Sequence, residues 1–287
     1  MRGDAEAAVV LRPRTPAEAV RLFEQHEHAL PIAGGTDLMV AWNAGGLAGR
    51  TFLDLSPLRA WSGIRQAKGA LAIGALATHT DLLRHALVRR RLPLLAEACA
   101  TVGGVQIQNR GTIGGNVANA SPAGDTFPPL GVYEATVVVV SNGDRREVPF
   151  LEFFTGPKRN CLTPGELVES LRIPFPMRPP TRAMFRKVGT RAAQAISKTV
   201  AAGLLWQQRD GTVAELRFAL GSMAPTVRRL RYAEAFVKGR RLTPDVVREA
   251  CALVSRDVSP IDDVRSTADY RLAVSRNLLF RFLSEPR

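Results

Sequence analysis

Apolar positions along the chain change period several times, and each change marks an expected element. Ala19, Leu22 and Phe23 recur at helical spacing. Just before them, Thr15-Pro16-Ala17-Glu18 is a start signal. Thr15 is the expected N-cap, Pro16 fits the first helical position and Glu18 completes a capping box. Ala29-Leu30-Pro31-Ile32-Ala33 reads as a strand, then Gly34-Gly35-Thr36-Asp37 turns, and Leu38-Met39-Val40-Ala41-Trp42 begins a helix. Residues 51–55 and 70–75 read as strands. Residues 78–83 begin a helix capped by Thr78 or Thr80. Residues 93–102 form a helix that buries Leu94, Leu95 and Ala98. The strongest strand pattern is 135–140, which Asn142-Gly143 folds back onto 147–150. Residues 166–174 alternate apolar and polar, as in a half-buried strand.

Pro174, Pro176, Pro179 and Pro180 fall within seven residues and mark a domain boundary. Beyond it, 184–188, 198–206 and 213–220 read as strands. Two helices close the chain. Thr243-Pro244-Asp245 caps the first, and Ser266-Thr267-Ala268-Asp269 forms a capping box for the second. In the second, Val274, Leu278 and Phe282 fall four apart on one face.

The stretch Asn109-Arg110-Gly111-Thr112-Ile113-Gly114-Gly115-Asn116-Val117-Ala118-Asn119-Ala120-Ser121-Pro122-Ala123-Gly124-Asp125 breaks this periodicity. It holds four glycines, three asparagines, two hydroxyl residues and one acid. Glycine permits positive φ and close backbone approach, and successive N–H groups in such turns form concave anion sites. The stretch reads as a pyrophosphate cradle. The turn at Gly34 to Asp37 is a second anion site, because N–H groups at a helix start attract negative charge. Asp37 is awkward beside a phosphate, so its carboxylate is expected to turn away and cap the following helix. GxGxxG and the P-loop consensus are both absent, which disfavours a Rossmann dinucleotide domain and a P-loop NTPase.

Composition narrows the function classes. The chain has 287 residues, 46% of them hydrophobic, enough for a folded protein of two domains. No apolar run approaches the roughly 20 residues that span a bilayer. Met1-Arg2-Gly3-Asp4-Ala5-Glu6 is acidic, so no secretory signal and a cytoplasmic location are expected. Cys99, Cys161 and Cys251 are scattered, so no iron–sulfur cluster or structural zinc is expected on this chain and free buried thiols are. His26, His28, His79 and His85 form no HExxH pattern. Net charge is +13, of which residues 151–287 carry +11. Basic residues are 34 Arg against 5 Lys. With the excess away from the glycine motif, an acidic protein partner fits better than nucleic acid.

The residues also carry a resemblance. Ala33-Gly34-Gly35-Thr36-Asp37-Leu38 together with residues 108–122 resembles the paired FAD motifs of molybdenum hydroxylase flavoproteins, of the aerobic carbon monoxide dehydrogenase and xanthine dehydrogenase type. The resemblance continues through residues 185–197 and ends with residues 265–271. It implies an α+β fold: a vanillyl-alcohol-oxidase or PCMH-type FAD-binding domain of two α/β subdomains, plus a C-terminal domain of small antiparallel sheet and helices. The expected division is 1–176, with subdomains of about 1–55 and 56–176, and 177–287.

By resemblance, Ile32, Ala33, Gly34, Gly35, Thr36, Asp37 and Leu38 hold the FAD pyrophosphate from one side, and Thr112, Gly114, Gly115 and Asn116 from the other. Asp125 binds the nucleotide end, Leu167 and Val168 give backbone and apolar contacts, and Lys187 lies near the flavin pyrimidine edge. Val102 and Ala120 complete the cofactor-binding set. Arg191 stands where some relatives carry an aromatic, and Trp42-Asn43 replaces a frequent Met-Lys. The implied role is an electron-transfer subunit with no catalytic acid, base or metal of its own. Molybdopterin and [2Fe–2S] clusters would sit on a large and a small partner chain, and the acceptor would be NAD, quinone, a carrier protein or oxygen. Two readings stay open beside it: a self-sufficient flavin oxidase of the same fold, and a non-redox nucleotide-binding scaffold.

Overall fold

The computed structural model describes residues 8–285, so the acidic start Met1 to Glu6 lies outside the described residues. The first unit runs β1 (Val9–Leu11), α1 (Pro16–Gln25), β2 (Leu30–Ile32), α2 (Leu38–Asn43) and β3 (Thr51–Asp54). Its strands pair in parallel in the order β1–β3–β2. Parallel neighbours need crossovers rather than tight turns, and α1 and α2 lie in those crossovers. Thr15 caps α1 by accepting the Glu18 N–H. The Glu18 carboxylate accepts from the Arg14 N–H at 2.7 Å, one residue earlier than a capping box requires. β1 had no sequence signal; it is three residues long, with Val9 and Val10 exposed.

The second unit contains β4 (Ile64–Ala67), β5 (Ala70–Gly74), α3 (His79–Arg84), α4 (Ala86–Arg91), α5 (Pro93–Thr101), α6 (Val105–Gln108), α7 (Ile113–Ala118), α8 (Phe127–Val132), β6 (Thr136–Ser141), β7 (Asp144–Pro149), the short pair β8 (Phe154–Gly156) and β9 (Arg159–Asn160), and β10 (Leu167–Pro174). Five strands form an antiparallel sheet in the order β4–β5–β10–β6–β7. Leu71, Ile73, Val137, Val139, Leu171 and Ile173 feed one core, which Phe127, Phe150, Phe153 and Phe154 extend with mutually packed rings. The β10 register breaks between Val168 and Ser170. Leu167 and Val168, just before the break, pack into different cores, and both border the cavity described below.

The third unit runs β11 (Arg182–Val188), β12 (Thr199–Gln207), β13 (Val213–Gly221), β14 (Arg228–Arg229), α9 (Arg231–Val237), α10 (Pro244–Ala252) and α11 (Ala268–Ser284). Its antiparallel sheet is ordered β11–β12–β13–β14. Every residue of β12 from Thr199 to Trp206 is buried. Ala202, Leu204 and Trp206 pack into the second unit's core, whereas Ala201 and Leu205 pack under the C-terminal helices. A strand covered on both faces has no polar side to alternate with.

The start and the inward face of α11 both depart from its sequence spacing. Its cap is Thr267, accepting from Tyr270 N–H, so Ser266 does not start the expected box. Its buried positions are Arg271, Ser275, Leu279, Phe282 and Leu283, while Val274 and Leu278 are only half-buried. The stripe is rotated because two polar residues go inside. Arg271 Nη1 donates to the carbonyls of Lys198 and Ser222, and its Nη2 donates to Asp263 at 2.7 Å. The hydroxyls of Ser275 and Thr199 bond at 3.1 Å.

Candidate functional site

The two glycine turns touch each other directly. A Cβ on Gly34 would fall 1.9 Å from the Arg110 carbonyl oxygen, and one on Gly114 would fall 2.7 Å from the Ala75 carbonyl oxygen. These two glycines thus let chain meet chain. Gly35 has φ +73°, a conformation that side chains rarely tolerate. His79 N–H donates to the Gly111 carbonyl at 3.1 Å, and Ile113 N–H to the Ala77 carbonyl at 2.9 Å, so the second turn is stitched to the start of α3.

The N–H groups divide unequally between the turns. In the second turn Gly114 N–H bonds the Ala75 carbonyl, Gly115 N–H the Thr112 hydroxyl and Asn116 N–H the Thr112 carbonyl. Among the described residues, the N–H groups of Gly35, Thr36 and Asp37 have no such partner in the chain. The first turn is therefore the richer source of free donors. Asp37 precedes α2 without capping it; its carboxylate instead sits 3.6 Å from Lys158 Nζ. Lys158 also donates to the Asn119 side chain at 2.8 Å, so the β8–β9 turn ties α7 to the first glycine turn.

A cavity of about 550 Å³ opens at this seam, within the range of small-molecule sites. Ala33, Gly34, Gly35, Thr36, Asp37, Leu38, Val102, Thr112, Gly114, Gly115, Asn116, Leu167 and Val168 all line it. Four expected residues do not. Ile32 lies beneath the turn, its Cδ1 3.5 Å from where a Gly35 Cβ would be. Ala120 is buried, has φ +49° and accepts from Lys158 N–H. Asp125 and Lys187 are paired with each other at 2.6 Å. Lys187 also donates to the Thr101 carbonyl at 2.9 Å, next to cavity-lining Val102, and Ser197 donates to Asp125 at 2.6 Å. Burial raises the Asp125 carboxyl, and Lys187 and Ser197 oppose that shift.

Lining residues outside the expected set include His79, Ile107, Asn160, Thr163 and Glu166. Neither periodicity nor glycine spacing marks them as ligand contacts. Glu166 is gripped by Arg146, whose Nε and Nη2 donate at 2.6 and 2.8 Å, and this holds its carboxyl down to about 2. Burial pushes His79 down to about 4, so its ring is neutral near pH 7. The wall thus combines free backbone donors, apolar side chains and few mobile charges, an arrangement suited to an anionic, largely aromatic ligand.

Residues 5–176 match the family described as the FAD binding domain in molybdopterin dehydrogenase, and residues 184–286 match the CO dehydrogenase flavoprotein C-terminal domain. The chain is 30% identical over 275 residues to a xanthine dehydrogenase FAD-binding subunit of Escherichia coli O157:H7, covering 96% of this chain and 94% of that one. It is 30% identical over 277 residues to the carbon monoxide dehydrogenase medium chain of Hydrogenophaga pseudoflava, covering 95% and 94%. The solved structure of carbon monoxide dehydrogenase from that organism, lacking the Mo-pyranopterin moiety, superposes with a TM-score of 0.90 over 99% of this chain and 96% of that one. A solved Cu,Mo-CO dehydrogenase in its cyanide-inactivated form gives a TM-score of 0.91 at 26% identity over 99% and 98%. The chain therefore belongs to the FAD-binding family of molybdopterin dehydrogenases, and with it to the flavoprotein subunits of oxidoreductases.

Proposed function

We propose that this chain is the FAD-carrying electron-transfer subunit of a heteromeric molybdenum hydroxylase. A molybdopterin-binding large subunit oxidises the substrate, and [2Fe–2S] clusters of a small subunit feed the flavin. The electrons leave to an external acceptor: NAD, quinone, a carrier protein or oxygen. The observation that carries the reading is the cavity at the seam of the two glycine turns, with unpaired N–H groups at Gly35, Thr36 and Asp37. Those donors fit a pyrophosphate, and the apolar wall of Leu38, Val102, Leu167 and Val168 fits flat aromatic rings. When bound, FAD supplies the exchange between single electrons and electron pairs.

The remaining roles belong to the chain. The first turn would hold phosphate oxygens, and Thr112, Gly114, Gly115 and Asn116 would close the other side. Ile32 and Ala120 support the cradle from below. Asp125 and Lys187 fix one another beyond Val102, where they can meet a polar cofactor edge. The division at 1–176 and 177–287, with subdomains near 1–55 and 56–176, is part of the proposal. Three separate sheets support it: β1–β3 fall within 1–55, β4–β7 with β10 within 56–176, and β11–β14 within 177–287. So is a cytoplasmic location; among the described residues no helix is long and apolar enough to cross a membrane.

The full chain, purified with whatever accompanies it, is expected to show a flavin spectrum, to release FAD on denaturation and to bring down a large chain and an iron–sulfur chain. A chain that carries no flavin and takes up no added FAD would overturn the reading. Turnover of an organic substrate by the isolated chain would replace it with the self-sufficient oxidase.

A further inference from the structure

His79 is the first residue of α3 and sits where the two glycine turns meet. Thr78 and Asp81 cap that helix reciprocally, and the His79 N–H is tied to the second turn, so the residue has little freedom to move. The residue is 2% exposed and lines the cavity. The Cδ2 edge lies 3.3 Å from the Cβ position of Gly111, and Thr36 Oγ1 lies 3.4 Å from the same point. The ring edge and the first turn's hydroxyl therefore flank one glycine, and a side chain there would push between them.

The hydrogen bonds of this ring do not close within the chain. Nδ1 is sealed from solvent and has no partner. Among the described residues Nε2 has no partner either, but it is not among the sealed atoms, and the ring borders the cavity. Buried polar groups are nearly always satisfied; Nδ1 stays unpaired in either case, whereas Nε2 is open to a partner in the cavity. A packing role alone would be served by an apolar ring. A ligand can reach only Nε2. A neutral imidazole carries its proton on one nitrogen, and placing it on Nε2 offers a donor to the cavity.

We propose that His79 is a cofactor-positioning residue, donating one hydrogen bond from Nε2 to an anionic oxygen of the dinucleotide held between the glycine turns. The inference rests on the reading that the cavity holds FAD. In the ligand-free chain burial keeps the ring uncharged near neutral pH. The contact complements the free N–H groups of the first turn at the side where the second turn uses its own.

The test compares FAD affinity of the full-length wild type, His79→Phe and His79→Gln by flavin fluorescence titration, with melting of the FAD-free proteins as a check on folding. Phe keeps the ring and removes the donor; Gln places an amide N–H near the Nε2 position. His79→Phe is expected to bind FAD about tenfold or more weakly, and His79→Gln to stay within about threefold of wild type. Equal affinity of His79→Phe and wild type overturns the inference and leaves the FAD reading intact. Failure of the wild type itself to take up FAD overturns both. Should His79→Phe not fold, ¹⁵N-histidine NMR of the wild type decides: FAD must move the His79 Nε2–H signal downfield, and an unmoved signal overturns the inference.

Discussion

Gly34 is the residue at which the two turns leave no room. The Arg110 carbonyl occupies the place of any Cβ, and backbone cannot rotate aside as a side chain can. Gly34→Ala is expected to cost about 1–3 kcal/mol by overpacking and to part the turns. FAD content of the purified variant should fall well below that of wild type; an unchanged flavin-to-protein ratio would show that the seam tolerates separation. Gly115 differs. A Cβ there meets only the Thr112 hydroxyl, at 2.9 Å, so Gly115→Ala should retain more flavin than Gly34→Ala. Asp125 and Lys187 make a second residue-scale point. Both are about 9% exposed, and each is the other's charge partner. The sequence reading assigned them separately to the ligand; the structure holds them to each other across 62 residues of chain.

Helix α11 shows how an element can defeat periodicity. Apolar spacing selected Val274, Leu278 and Phe282, yet the inward stripe passes through Arg271 and Ser275. Arg271 is 3% exposed on its side chain and serves two carbonyls and Asp263. Arg271→Met should destabilise the chain by about 3–5 kcal/mol, because Asp263 and both carbonyls lose their buried donor. Val274→Ala should cost only about 1 kcal/mol. Urea unfolding of the two variants checks the ranking, and equal midpoints would restore the apolar stripe. In β12 the opposite failure occurs. The strand is apolar from Val200 to Trp206, and which core each side chain enters depends on two different layers above and below it.

At the scale of the whole molecule, charge is unevenly divided: +11 of the net +13 lies in residues 151–287. Part of this excess faces acids of the first half, as in the Lys187–Asp125 and Arg217–Glu134 pairs. The surplus on the surface suits acidic partner chains. Association with the proposed partner chains should weaken several-fold between low salt and about 0.5 M, since the Debye length falls to a few ångströms. Sedimentation or size-exclusion profiles that do not change with salt would count against an electrostatic contribution.

What the sequence determined by itself is local. Thr15, Thr78, Thr243 and the Asn142-Gly143 turn announce elements because capping and turn conformations depend on residues a few positions apart. The glycine turns were legible for the same reason, and so was the run from Ala33 to Leu38 that lines the cavity. Tertiary structure alone decided what faces what. It set Gly34 against Arg110, Asp37 against Lys158 instead of its own helix, and Asp125 against Lys187. It also placed His79 in the seam and turned Arg271 inward. Those outcomes depend on which groups lose water when distant segments pack, and no spacing along the chain records that.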